Sequence, residues 1–126
     1  MNQKYPTKEK LKQKREIDLL FAKGKWLSSG NLRVISLNLD KKPQEGFSLD
    51  NQKVGVSVSK KHFKKAVDRN RIKRLLREIY RHNKEIFTEA FGHQSLTMVF
   101  WVSNEKPANL QSLQENFVKL CKSKIN

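Results

Sequence analysis

Val54-Gly55-Val56-Ser57-Val58-Ser59-Lys60-Lys61, followed one short turn later by Ala66-Val67-Asp68-Arg69-Asn70-Arg71-Ile72-Lys73-Arg74-Leu75-Leu76-Arg77-Glu78, decides the fold. In the first half, valines at 54, 56 and 58 alternate with Lys53, Gly55, Ser57 and Ser59, the period of a half-buried strand. In the second half the period lengthens. Ile72, Leu75, Leu76, Ile79 and Tyr80 fall on one face of a helix predicted over residues 66–87, with Asp68 near its start as a cap or dipole-compensating acid and Gly92 beyond its end. Residues 95–103, rich in β-formers and nearly all apolar, then read as a strand buried on both faces and central to a sheet.

Working outward, residues 32–39 read as a strand, 40–46 as a surface loop, and 47–49 as the beginning of a further strand. Residues 8–23 read as an amphipathic helix with Leu11, Ile17, Leu20 and Phe21 on its apolar stripe and Gly24 as its stop. After Pro107, Leu110, Leu113, Phe117, Leu120 and Cys121 recur at helical spacing. The predicted order is α-β-β-β-α-β-α, an α/β two-layer sandwich, read as one domain over residues 1–126.

The 126 residues carry 27 Lys+Arg against 12 Asp+Glu, a formal charge of +15. Residues 60–84 hold eleven Lys/Arg and two acids, and residues 1–25 hold eight and three, so 14 of the 15 net charges lie in two segments. A surface charged only for solubility would mix its signs along the whole chain. A field of this size and polarity favours polyanions, nucleic acid first and an anionic membrane surface second. The length excludes a two-domain enzyme, and the 37% apolar content excludes disorder throughout. Cys121 alone cannot form an intramolecular disulfide, no Cys/His cluster has the spacing of a zinc site, and the N-terminus lacks the apolar region of a secretory signal. The chain is therefore read as cytoplasmic.

On a wheel of about 100° per residue, Leu75, Leu76 and Ile79 lie within about 60° of Ile72, while Asn70, Lys73, Arg74, Arg77 and Arg81 lie about 100–200° away. One helix thus buries one face and presents guanidinium groups on the other. Arginines at this spacing form fork-shaped donors matched to phosphate geometry. Lys60, Lys61, Lys64 and Lys65 sit in the turn before that helix, where backbone N–H groups and a helix N-terminus also favour phosphate.

The same residues closely resemble the signature of the protein component of bacterial ribonuclease P, whose core is Arg-Asn-Arg-x-Lys-Arg after a Ser-Lys-Lys strand end. The tight match covers about residues 54–78; length and element order are similar over nearly the whole chain. The resemblance implies an accessory subunit of an RNA enzyme, in which an RNA with bound Mg²⁺ removes the 5′ leader from precursor tRNA; it assigns no cofactor to the protein and leaves open whether the protein binds a metal. It implies that Lys60, Lys61, Arg69, Asn70, Arg71, Lys73, Arg74 and Arg77 contact the catalytic RNA, joined by Lys64 and Lys65 of the charged turn. It places the leader in a cleft between the first helix and the sheet, involving Lys14, Ile17, Phe21, Leu32 and Ile35. It also implies a left-handed βαβ crossover, against the ordinary handedness rule. The chain departs from the family pattern in carrying Ile17, and Ile35 on its strand, where aromatics are expected, and in the longer turn His62-Phe63-Lys64-Lys65.

Competing readings fare less well. A self-sufficient nuclease needs clustered carboxylates or a His pair, but Asp40, Glu45 and Asp50 read as solvated loop acids and His62, His82 and His93 are scattered. Cys121 reads as a core thiol and Trp101 as core, while Trp26 is read equally as core or as an exposed platform. A structural RNA-binding protein of ribosomal type shares the size and charge, and the arginine-asparagine-arginine signature argues against it. Membrane binding through the first helix is disfavoured by its interrupted apolar face. No obligate protein partner is evident.

Overall fold

The computed structural model describes residues 5–125. Helix α1 (Lys14–Lys23) is followed by strands β1 (Lys25–Ser29), β2 (Leu32–Asn38) and β3 (Lys53–Val58). Helices α2 (Ala66–His82) and α3 (Lys84–Phe91), strand β4 (Ser95–Trp101) and helix α4 (Leu110–Ile125) complete the order. The four strands form one sheet in the order β1-β2-β4-β3, with β1/β2 and β2/β4 antiparallel and β3/β4 parallel. The parallel pair requires the helical crossover that α2 and α3 supply. The predicted α/β class and element order hold, and the deciding strand and helix lie where the valine and isoleucine periods put them.

Four boundaries differ from those predicted, each for a local reason. The first helix starts at Lys14 rather than at residue 8, because residues 7–9 form a 3-10 turn and Lys10–Leu11 run extended beside β3, where the Leu11 N–H donates to the Val54 carbonyl at 3.1 Å. Leu11 is buried as part of this strap, not of a helix stripe. The third strand is β1, not residues 47–49. Gly30, at φ +58°, opens a two-residue turn onto β2, the left-handed backbone that tight hairpins need, whereas Phe47 and Leu49 pack into the apolar cluster beneath α1 without joining a ladder. The long helix breaks at Asn83, whose backbone leaves helical geometry (φ −125°, ψ 31°) and whose side-chain amide donates to the Ile79 carbonyl at 2.8 Å. The last strand ends at Trp101 instead of residue 103.

The sheet has two unequal faces. Val34, Val54, Val58, Val99 and Trp101 point to one side, where Ile72, Leu76, Ile79, Phe87, Phe91, Leu113, Phe117 and Leu120 from α2, α3 and α4 close a continuous core. Cys121 is fully buried there, and burial pushes its thiol up to about 12. On the other side Ile35, Leu37, Leu96 and Met98 pack under Leu20 and Leu11, partly covered by Ile17 and Leu19. A ten-residue helix spans only about 15 Å, so α1 covers part of that face.

A polar network fastens the N-terminal strap. The buried Glu9 carboxylate accepts a hydrogen bond from the Tyr80 hydroxyl and pairs with Lys84 at 3.1 Å, while Gln52 donates to the Tyr80 oxygen at 3.1 Å. Lys53 pairs with the buried Glu16 of α1 at 2.9 Å. These charges are paired and hydrogen-bonded, the condition under which burial is tolerated. Tyr5 donates to the Val54 carbonyl, and burial pushes its hydroxyl up to about 12.

Candidate nucleic-acid interface

Helix α2 buries Ile72, Leu76, Ile79 and Tyr80 and leaves Asn70, Arg74 and Arg77 exposed, as the wheel predicts, with Arg71 exposed beside them. Lys73 is half-buried. The two acids of this segment are already engaged: Glu78 pairs with Arg81 at 2.7 Å and His82 at 3.1 Å, and Asp68 with Lys106 at 3.2 Å. The hydrogen bond from Arg81 holds the Glu78 carboxyl below its usual range. Among the described residues no carboxylate pairs with Arg71, Arg74 or Arg77. Their guanidinium forks are therefore open to an external acceptor.

Arg69 behaves differently from its neighbours. Its Nη1 donates to the carbonyls of Phe63 and Lys64, both at 2.8 Å, so part of the guanidinium fastens the turn before the helix. Phe63 is buried under that turn, and the Ser59 hydroxyl accepts from the Lys61 N–H at 3.1 Å. Lys60, Lys61, Lys64 and Lys65 project outward from this fixed loop. The turn thus supplies an apolar anchor, Phe63, as well as charge.

The open part of the sheet carries the second surface. Successive rows of the ladder put Trp26, Ile35, Met98 and Gly55 in one line, and Ser28, Arg33, Phe100 and Ser57 in the next. Phe21, at the C-terminal end of α1, meets both lines: its ring lies 6.2 Å from Trp26 in the first and 6.1 Å from Phe100 in the second, and Trp26 lies 5.5 Å from Phe100. Phe21 and Trp26 are 47% and 49% exposed, too much for core residues and enough to offer ring faces to solvent. Trp26 is thus a platform residue. At the β3 edge a cleft of about 350 Å³ lined by Tyr5, Lys10, Lys12, Gly55, Met98 and Arg77 joins this face to the arginine helix. A Cβ on Gly55 would come 2.9 Å from the Met98 sulfur, so glycine keeps that floor flat.

The structure separates the residues expected in the cleft. Phe21 is exposed against Trp26 and Phe100, away from the cleft at the β3 edge, and Ile17 is half-buried beside the second apolar cluster. Leu32 is fully buried on the opposite face, because even-numbered β2 residues point into the three-helix core. Ile35 lies on the right face but is fully buried close under Gly24, at the end of α1. Lys14 is exposed and paired with Asp18 at 2.9 Å on its own helix. Leu32 and Ile35 therefore offer no open surface, whereas Phe100 is half-buried and Arg33 exposed on the same face of the sheet as Ile35. The alternation within β4, with Phe100 on the face opposite Val99 and Trp101, was the available signal.

The sequence profile of ribonuclease P matches residues 5–124. The chain belongs to the ribonuclease P protein family. The ribonuclease P protein component of Porphyromonas gingivalis is 32% identical over 113 residues, covering 88% of this chain and 79% of that relative. The Thermotoga maritima protein component is 31% identical over 120 residues, covering 87% and 95%. Among solved structures, the Staphylococcus aureus ribonuclease P protein superposes with a TM-score of 0.70 at 23% identity, over 91% of this chain and 94% of that one. The Thermotoga maritima protein gives 0.65 at 24% identity, over 91% and 96%. These likenesses support the four-stranded fold and the family assignment carried by the Arg-Asn-Arg segment on α2.

Proposed function

We propose that this chain is the single-domain RNA-binding subunit of a cytoplasmic ribonuclease P, assisting a catalytic RNA in removing the 5′ leader from precursor tRNA. The observation that carries the reading is the exposed guanidinium row of Arg71, Arg74 and Arg77, without carboxylate partners among the described residues, on the helix that bears the family's signature. With Lys60, Lys61, Lys64, Lys65, Asn70 and Lys73 it forms the surface for the catalytic RNA; Arg69 contributes by holding the turn. The leader lies on the open sheet face against Ile17, Phe21 and Phe100, where base stacking on rings is sequence-tolerant.

The catalytic step belongs to the RNA and its Mg²⁺. Among the described residues, no group of three or more His, Cys, Asp or Glu side chains is arranged to hold a metal ion. The protein's part is to neutralise phosphate, orient the substrate and stabilise the active RNA fold. No helix among the described residues is long and apolar enough to cross a membrane. A structural protein of ribosomal type is not favoured by the family match.

The test is cleavage of a precursor tRNA at low Mg²⁺ by a bacterial ribonuclease P RNA, with and without this protein, and by the protein alone. Stimulation only in combination is the expected result. Cleavage by protein alone, or tight RNA binding without stimulation, contradicts the proposal.

A further inference from the structure

We propose that Trp26 and Arg33 form an outer nucleotide site at the β1 edge, which extends the leader's path beyond Phe21 and Phe100 and sets how much leader the protein can use. The inference rests on the leader reading above. Trp26 stands on an edge strand directly opposite Ile35, with half of its surface open. Phe21 and Phe100 brace it from the sheet side at 6.2 and 5.5 Å. The Arg33 guanidinium carbon lies 5.8 Å from the Trp26 ring centroid, a cation–π arrangement that steers the fork toward whatever stacks there. Beside them a groove of about 370 Å³ is lined by Trp26, Leu27, Ser28 and Arg33, within the size range of small-ligand sites.

The chemistry selects a single-stranded nucleotide. A tryptophan ring stacks on any base, and a guanidinium fork beside it matches a phosphate. Among the described residues no carboxylate pairs with Arg33, and the Trp26 indole N–H has no protein acceptor, unlike that of Trp101, which donates to the Glu105 carbonyl at 2.7 Å. Position fixes which nucleotide. Strand β1 is the sheet edge opposite β3, and β3 borders the cleft containing Arg77 of the catalytic-RNA surface. A leader that leaves the cleavage site near α2 and crosses the sheet reaches Trp26 last, about three strand spacings or ~14 Å later. The bound nucleotide is therefore one farther from the cleavage site than those over Phe100.

The experiment measures binding of precursor tRNAs with leaders of graded length, and of mature tRNA, to holoenzyme reconstituted with a bacterial ribonuclease P RNA. With the unaltered protein, affinity rises with leader length and levels off. With Trp26→Ala the rise stops a few nucleotides earlier, so long leaders bind on the order of tenfold more weakly while the shortest leaders and mature tRNA bind as before. Arg33→Ala shows the same length-selective loss, and Trp26→Phe recovers most of the affinity. Long leaders also quench the fluorescence of exposed Trp26, a signal lost in Trp26→Phe, where only the buried Trp101 remains. A length dependence untouched by Trp26→Ala, or an equal loss for mature tRNA, overturns this inference and leaves the leader reading standing. Absence of any length dependence in the unaltered protein overturns both.

Discussion

The two faces of one sheet do different work. On one face three helices seal Phe87, Phe91, Phe117 and Tyr80 into a core whose edge polar groups, Glu9, Gln52 and Lys84, find partners. On the other, a single short helix leaves Phe21, Trp26, Phe100 and Arg33 only half covered. The strands are the same; only alternation decides which residue joins the closed core and which faces the open side. The charges divide likewise, since buried Glu9 and Glu16 are paired while the outward arginines 71, 74 and 77 of α2 have no carboxylate partner among the described residues. Side chains on the closed face should therefore control folding and little else, and those on the open surfaces should control RNA affinity with little effect on folding.

The largest expected effect is on the closed face. Phe87→Ala removes a fully buried ring that meets Tyr80, Phe91 and Phe117, and should cost about 3–5 kcal/mol in urea unfolding. A cost below about 1 kcal/mol would show that this face is not the core. Next comes the strap. Glu9→Gln leaves the half-buried Lys84 without its counter-charge and should lose about 1.5–3 kcal/mol of stability. Arg74→Ala should weaken binding to the catalytic RNA by about 1–3 kcal/mol while stability moves by no more than about 0.5 kcal/mol. It should also flatten the fall of affinity with salt, by about 0.7–0.9 in log–log slope for each phosphate that Arg74 neutralises. A stability loss as large as the affinity loss would erase the distinction between the surfaces.

The smallest effects concern titration and thiol access. The Tyr5 hydroxyl, near 10.0 in an open chain and about 12 in the fold, favours the protonated native state. Stability should hold below pH 10 and decline as pH rises from 10 toward 12, and Tyr5→Phe should remove part of that decline. Cys121, buried and pushed up to about 12, should resist alkylation at about pH 8 in the native protein and react after unfolding.

The elements with a strong period were legible. The Val54, Val56, Val58 alternation turns one strand face to the core, with Val54 and Val58 buried and Val56 half-buried against it, and the Ile72, Leu76, Ile79 stripe buries one helix face. Elements fixed by partners distant in sequence were not. Leu11 fits a helix stripe equally well as an extended strap, and it is Val54 on the β3 edge, far along the chain, that claims it. The hairpin strand β1 has little apolar alternation, and its visible signal was the Gly30-Asn31 pair. The arginine row was legible because helical spacing alone sorts a charged face from an apolar one. The aromatic platform was not, since Phe21, Trp26 and Phe100 come from three elements and meet only once the register is known.

The most direct test of this division measures two affinities for each of two variants: binding of the protein to the catalytic RNA, and the preference of the assembled enzyme for precursor over mature tRNA. The double variant Arg71→Ala/Arg74→Ala should lose affinity for the catalytic RNA, and its assembled enzyme, at saturating protein, should keep the precursor preference. Phe21→Ala should do the reverse. If both variants lower both quantities in parallel, the protein has one undivided RNA surface, and the assignment of separate tasks to the arginine helix and the open sheet face is wrong.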